Sequence, residues 1–266
     1  MPIVSVVMPV LATPEPLLRQ AIQSILDQTL SDWELIIVED PSDFVCTEVI
    51  RSFSDDRIRY VINDQRTGLV RQRNLGLEMA QGQFIAKADS DDISEPQRLQ
   101  EQFDHLTQNE HIGVVGSHLT IVDSEGQRIG RREYPTDPRD VRRLMRRRNV
   151  IAQPAAFFRA ELVRRFGGYP DGYPVCQDYA YWSHLAKQGV QLANLQQYLV
   201  RYRQHAASIK STRLRETLDA TLRVKDTYWR DEMTLADHGR MLGERLLRHA
   251  PASWTQRLFA WMTFRR

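Results

Sequence analysis

The sequence predicts an α/β fold: a mostly parallel sheet flanked by helices, with a helical C-terminal extension. Three observations carry this. Short Val- and Ile-rich runs alternate with helical patterns through the first third of the chain, the signature of strand–helix–strand crossovers. Acidic pairs stand directly behind two of those runs, where a parallel sheet collects its ligands. From Thr212 the pattern is helical to the end.

The elements follow in order. Ile3 to Val10 reads as a buried strand. Pro14 and Pro16 open a helix with Leu17, Leu18, Ala21, Ile22 and Ile25 on its apolar face. Trp33 to Val38 is a strand, Phe44 to Phe53 a helix and Ile58 to Ile62 a short strand. Gly68 to Ala80 is a helix carrying Leu75 and Met79, and Phe84 to Ala88 the fourth strand. A helix opened by Pro96 follows. Ile112 to Val122 is a strand ended by the turn Asp123-Ser124-Glu125-Gly126, and Gln127 to Tyr134 pairs back onto it. Pro138 to Arg148 is a basic helix. Pro154 to Arg159 is a strand, followed by a helix that stops at Gly167-Gly168. Asp178 to Gln188 is a helix and Leu192 to Arg203 a strand. Breaks are expected in the terminal helical region at Gly239, Gly243 and Pro251.

Composition narrows the class. The 266 residues are 42% hydrophobic and 26% charged, a balance typical of soluble globular chains. A net charge of +2 gives no reason to expect a nucleic-acid partner. Two cysteines, Cys46 and Cys176, make no disulfide framework and suit a reduced, cytoplasmic setting. The apolar start, Met1 to Val10, is too short for a signal peptide, and no apolar run reaches the roughly 18 residues of a membrane helix.

Asp89-Ser90-Asp91-Asp92 is the strongest chemical signal. In extended chain, residues two apart project to one side, so Asp89 and Asp91 can face one ligand. Carboxylate oxygens suit Mg2+ or Mn2+, which often bridge to phosphates. The alternative is an acidic turn capping the next helix. Glu39-Asp40 is placed to accept hydrogen bonds from a base N–H or a ribose hydroxyl, or to cap a helix. Arg66, Arg71 and Arg73, around Gly68, suit a diphosphate or a base, or a solvated helix face. Asp178 is a candidate general base for an acceptor hydroxyl, or a helix cap. His205, after the last strand, is a candidate metal ligand.

At these residues the chain resembles family 2 of the glycosyltransferases, which have the GT-A fold, a Rossmann-like sheet flanked by helices. The resemblance runs from about Ile3 to Lys210. It rests on Val4-Ser5-Val6-Val7-Met8-Pro9, Ser24-Ile25-Leu26-Asp27-Gln28-Thr29, Glu34 to Asp40, Gly68 with Arg73-Asn74 and Ala80-Gln81-Gly82, Asp89-Ser90-Asp91-Asp92 with Pro96, Phe166-Gly167-Gly168-Tyr169 with Gln177-Asp178, and Tyr202-Arg203-Gln204-His205. It implies a nucleotide site made by Pro9, Val10, Leu11, Glu39, Asp40, Arg71, Arg73, Asp89 and Ser90. It implies Mg2+ or Mn2+ on Asp91, Asp89 and His205, and Asp178 as the base of an inverting transfer. The partners it implies are a nucleotide-diphosphate sugar, most simply a UDP-hexose, and a glycan or lipid-linked sugar acceptor, in surface glycan or polysaccharide assembly. The implied organisation is a catalytic domain over 1–210, with a nucleotide and metal half (1–110) and an acceptor half (111–210), then a helical extension over 211–266. The sequence departs from the family at Glu39, Pro41 to Phe44, Gln177 and Leu11-Ala12, positions that bear on the choice of base and sugar.

Three other readings compete. A sugar nucleotidyltransferase needs a Gly-rich loop after the first strand, and Pro9 to Pro16 contains no glycine. A dinucleotide-binding oxidoreductase fails on the same ground. A non-catalytic glycosyltransferase-like subunit has no need of both Asp91 and Asp178. In the tail, Trp254, Leu258, Trp261 and Met262 share a helical face, with Arg257, Arg265 and Arg266 nearby. That face suits the inner surface of a membrane, packing on the catalytic domain, or a homodimer contact. Arg142, Arg143, Arg146, Arg147 and Arg148 suit anionic headgroups, an anionic acceptor or solvent.

Overall fold

The computed structural model describes residues 1–44, 46–204 and 214–247. The expectations for His205, for a break at Pro251 and for the aromatic tail beyond it lie outside the described residues.

Strands β1 (Val4–Val10), β2 (Trp33–Glu39), β3 (Ile58–Ile62) and β4 (Phe84–Lys87) alternate with helices α1 (Glu15–Leu26), α2 (Cys46–Arg51) and α3 (Leu69–Met79). There follow β5 (Ile93–Ser94), α4 (Arg98–Gln108), β6 (Ile112–Val122), β7 (Arg128–Arg132), α5 (Pro138–Met145), β8 (Phe157–Arg159), α6 (Glu161–Phe166), α7 (Gln177–Lys187) and β9 (Gln191–Arg203). The sheet order is β3-β2-β1-β4-β8-β6-β9-β5, with β7 on β6. The parallel expectation holds for β3, β2, β1 and β4, and again for β6 with β9. Strand β8 runs antiparallel to both β4 and β6, and β5 and β7 are antiparallel additions. Because β8 reverses between two strands that share a direction, the carboxyl ends of β1, β2, β4, β6 and β9 reach one edge.

Both faces of the sheet are covered. Val4, Val6, Met8 and Val10 pack with Leu18, Ile22, Val49 and Leu99, while Val7 and Ile85 pack with Leu77, Phe158, Trp182 and Trp229. Strands buried on both sides need apolar residues on both sides, which explains their unbroken hydrophobic runs.

Helix α3 departs from expectation. Leu75 and Met79 are only partly buried, and the inward face is Gln72, Arg73, Gly76 and Leu77. Gln72 turns in because strand-end carbonyls need donors. Its Nε2 donates to the Val10 carbonyl at 2.8 Å and the Val38 carbonyl at 3.0 Å. Gly76 lies so close to β1 that a Cβ there would stand 2.4 Å from Val7 Cγ1.

The C-terminal region has a helix at Leu214–Val224, short turns through Glu232, and a helix at Leu235–Leu247. That last helix passes through Gly239 and Gly243 without a break. Its start is fixed by a reciprocal cap, in which the Asp237 N–H donates to Thr234 Oγ1 and the Thr234 N–H donates to Asp237 Oδ2. The arginines of the α5 region hold this part in place. Arg142 donates to the Ala186 carbonyl and to Glu232, Arg146 to the Glu232 carbonyl, and Arg147 to Asp237 at 2.6 Å. Among the described residues no helix is long and apolar enough to cross a membrane.

Candidate active site

The acidic turn follows β4 at the shared carboxyl edge. Asp92 is buried, and its Oδ1 accepts the Arg203 N–H at 2.8 Å. Burial first, then the charges of Asp91 and Asp89, push its carboxyl well above the usual carboxylate range. Arg203 ends β9 and ties the edge together. Nε donates to the Asp91 carbonyl at 3.1 Å, Nη1 to the carbonyls of Asp123 and Ser124, and Nη2 to Gln20. Ser90 meets Thr13 at 2.6 Å, which docks the loop after β1 onto the turn. In that loop Leu11 is exposed and Ala12 takes the left-handed conformation, at φ 50°. Pro9 and Val10 are buried beneath it.

Two cations stand behind Asp89. Arg73, 4% exposed, places Nη2 3.4 Å from Asp89 Oδ1. Lys87, the last residue of β4, is fully buried, and its Nζ has no hydrogen-bond partner. Burial pulls its ammonium well below the usual lysine range, Arg73 adds to this, and Asp89 opposes it. Both cations lie over the Tyr169 ring, with Arg73 Cζ at 5.5 Å and Lys87 Nζ at 5.6 Å from its centre. Arg98, also fully buried, donates to the Lys87 carbonyl at 2.7 Å. Burial brings its pKa down to about 10, against the pull of Asp89 and Asp92. Lys87 and Arg98 are not among the residues that the sequence motifs single out. A lysine inside an apolar strand, two residues before the acids, was the available signal.

Glu39 and Asp40 are buried at the end of β2, and both carboxylates are engaged within the protein. Asp40 Oδ1 accepts Asn63 Nδ2 at 2.7 Å and Thr67 Oγ1 at 2.9 Å. Its Oδ2 accepts the N–H groups of Thr67 at 3.0 Å and Gly68 at 2.8 Å. These four donors fill the carboxylate's in-plane positions. Glu39 accepts from Thr47 and from Tyr60, whose hydroxyl is pushed up to about 12 by burial and by Glu39. The pair therefore shapes the loops that flank the edge. Arg66 reaches the Pro41 carbonyl, and Arg71 is exposed on α3.

Asp178 lies at the start of α7, half-buried. It does not cap the helix: Cys176, left-handed at φ 59°, holds the cap position and makes no side-chain cap bond. Asp178 Oδ2 accepts Asn149 Nδ2 at 2.8 Å. Nearby, Gln153 Nε2 donates to the Tyr169 hydroxyl at 2.7 Å. Burial raises the pKa of that hydroxyl, and it also feels the charges of Arg73, Asp178 and Asp89.

The donor set suits a hard divalent cation. Asp89 and Asp91 offer carboxylate oxygens, and Asp92 leaves a buried Oδ2 without a partner beside them. Added positive charge there relieves the repulsion that perturbs Asp92. Among the described residues no group of three or more His, Cys, Asp or Glu side chains could hold an ion by itself. Mg2+ and Mn2+ commonly complete such shells with water and phosphate oxygens.

The chain is similar to known proteins in sequence family and in fold. Residues 5–167 match the family model described as glycosyl transferase family 2. An Escherichia coli protein, UDP-Gal:alpha-D-GlcNAc-diphosphoundecaprenol beta-1,3-galactosyltransferase, is 29% identical over 202 residues, covering 74% of this chain and 72% of its own. The fold matches S. aureus TarS 1-349 in complex with UDP-GlcNAc, with a TM-score of 0.68 at 16% identity over 94% of this chain and 72% of that one. It also matches the mannosyltransferase PcManGT from Pyrobaculum calidifontis in complex with GDP-Man and Mn2+, with a TM-score of 0.67 at 17% identity over 96% and 72%.

Proposed function

Because the chain belongs to glycosyl transferase family 2, we propose that it is an inverting, metal-dependent transferase that moves a hexose from a UDP-sugar to an acceptor hydroxyl in surface glycan assembly. The observation that carries this is the acidic turn Asp89 to Asp92 behind β4, with Arg73 Nη2 3.4 Å from Asp89 Oδ1 and the Arg73 guanidinium 5.5 Å from the centre of the Tyr169 ring. In this reading Asp89 faces the diphosphate and Asp178 the acceptor hydroxyl.

Asp178 takes the proton of the acceptor hydroxyl as the new C–O bond forms. The bond from the sugar's anomeric carbon to the diphosphate breaks on the opposite face, which inverts that centre. Arg73 adds positive charge behind Asp89, and Arg203 fixes the turn that carries Asp91. Asp91 and Asp89, with His205 from the following segment, would hold Mg2+ or Mn2+, which neutralises charge on the leaving diphosphate when bound. Pro9, Val10, Leu11, Glu39, Asp40, Arg71 and Ser90 form the nucleotide's surroundings in this reading. With the carboxylates of Glu39 and Asp40 engaged, the two acids act by setting loop shape, and support for uridine comes from the UDP named in the E. coli and TarS matches.

The named acceptor class of the E. coli relative, a lipid diphosphate, also supports a lipid-linked sugar acceptor and work at the inner face of a membrane. On the helix Leu235–Leu247, Leu235 and Leu246 are 93% and 67% exposed, and the sequence carrying Trp254, Leu258, Trp261 and Met262 with Arg257, Arg265 and Arg266 follows it. That surface suits peripheral membrane contact or a homodimer.

The test is turnover with a panel of UDP-, GDP- and dTDP-sugars, with the anomeric configuration of the product read by NMR. Inversion with a UDP-hexose is expected. Retention, or tighter binding of GDP or dTDP than of UDP, overturns the corresponding part of the reading.

A further inference from the structure

The Asn149 amide is held at both ends. Nδ2 donates to Asp178 Oδ2 at 2.8 Å, and Oδ1 accepts the Ile151 N–H at 3.1 Å. The orientation is forced: turned over, the amide would set its carbonyl against a carboxylate and its NH2 against an N–H.

The frame around this amide is rigid. Val150 and Ile151 are fully buried, and the Val150 carbonyl accepts Asn194 Nδ2 at 3.1 Å, from β9. On the other side, α7 is fastened to the end of α5 by the Tyr179 hydroxyl, which donates to the Met145 carbonyl at 2.5 Å. Asp178 and Asn149 therefore project from two elements that are locked together. Among the described residues, Asp178 Oδ1 takes no hydrogen bond.

We propose that Asn149 is the positioning residue of the catalytic base: it pins Asp178 Oδ2 and leaves Oδ1 aimed at the acceptor hydroxyl. This rests on the reading of Asp178 as the base. A carboxylate at a helix start can rotate and present either oxygen. A general base has to hold one oxygen within roughly 2.6–3.2 Å of the proton it takes. Fixing one oxygen removes that freedom before the acceptor arrives, and small misplacements of a reacting group are costly. Asn149 touches neither donor nor acceptor in this role.

The test uses the full chain and four variants: Asn149→Asp, Asn149→Ala, Asp178→Asn and the double variant Asn149→Ala/Asp178→Asn. Turnover is measured with the fastest UDP-hexose, nucleotide affinity with UDP and Mn2+ by calorimetry, and integrity by thermal melting. Asn149→Asp keeps the size and the acceptor for the Ile151 N–H, but loses the donor to Asp178. It should lower kcat by about 10- to 100-fold, the range expected for losing a hydrogen bond to a charged group. Donor KM and UDP affinity should stay within about twofold of wild type. The double variant should be no more than about twofold slower than Asp178→Asn, because Asn149 has nothing further to contribute once the base is gone.

Wild-type kcat in Asn149→Asp overturns the proposal and leaves Asn149 as a local brace for Ile151. A double variant slower than Asp178→Asn by the full Asn149→Ala factor also overturns it, since Asn149 then acts elsewhere. A wild-type rate in Asp178→Asn defeats the base reading itself, and this inference with it.

Discussion

Asn74 holds Tyr169 by both ends of its amide: Nδ2 donates to the Tyr169 carbonyl at 3.0 Å, and Oδ1 accepts the Tyr169 N–H at 2.8 Å. The two residues are 95 positions apart, on α3 and on the loop behind α6. The clamp joins α3 to the loop that leads into α7. It also dictates a glycine: a Cβ at Gly168 would lie 2.4 Å from Asn74 Oδ1. Gly168→Ala should therefore cost about 1–3 kcal/mol, the usual range for overpacking. In an Asn74→Ala background the obstructing amide is gone, so the same substitution should cost much less. Urea denaturation of the four members of this cycle measures the coupling. Purely additive costs would show that the close contact is not what requires glycine.

Turnover should require a divalent cation. Asp89, Asp91 and Asp92 crowd one turn, and Asp92 is already forced toward its neutral form. A diphosphate adds more negative charge to the same place. Asp91→Ala should abolish metal-dependent turnover and weaken UDP affinity in the presence of Mn2+. Full activity of the purified protein in EDTA would refute the requirement.

Asp178→Asn keeps the size of the side chain and removes the proton acceptor. General base catalysis typically contributes about 10²–10⁴ in rate. Turnover should fall by about that factor, with UDP affinity near wild type. An unchanged rate places the base on another residue.

The residues behind these two predictions were legible in the sequence for a local reason. Asp89 and Asp91 were readable as acids just behind an apolar run, but β4 stops at Lys87 and Ser90 and Asp91 lie in a turn, with the Asp92 N–H 3.4 Å from the Asp89 carbonyl, in place of the extended chain expected. Asp178 stood out as an acid at a helix start behind two glycines. What escaped depends on distant contacts. Asn149 meets Asp178 across 29 positions from a loop without periodicity. Gln72 and Arg73 face inward because β1 and β2 end beneath one and Asp89 lies beside the other, facts invisible to a hydrophobic period. The same is true of Asp40. Its place behind a strand was readable, but the four donors that engage it come from Asn63, Thr67 and Gly68, which the fold brings back to it. The run of arginines around α5 was visible as charge, while the Glu232 and Asp237 groups that use it lie about 90 positions away.

Asp237 makes the attachment of the last helix sensitive to acid. Its side chain is 2% exposed, and Arg147 Nε lies 2.6 Å from Oδ1. Burial alone would raise its pKa. The Thr234 hydroxyl and N–H, then Arg147, outweigh burial and hold it down to about 2. An unfolded aspartate titrates near about 3.9. The folded value is the lower one, so the contribution is fully present above about pH 4 and is lost as pH falls toward about 2. The size follows from the shift and is about 2.5 kcal/mol. Asp237→Asn removes the ion pair at every pH. At neutral pH it should unfold more easily than wild type by about that amount. Near pH 2.5 the gap should shrink to about a third of its neutral value, because the wild-type carboxylate is by then giving up its advantage. Trp229, one of five tryptophans, is fully buried and donates through Nε1 to Ser183 on α7 at 2.9 Å, next to the attached region. Urea unfolding followed by far-UV circular dichroism, at pH 7 and at pH 2.5, measures both gaps. A gap of equal size at the two pH values would mean that Asp237 holds the helix through its cap geometry and not through its charge.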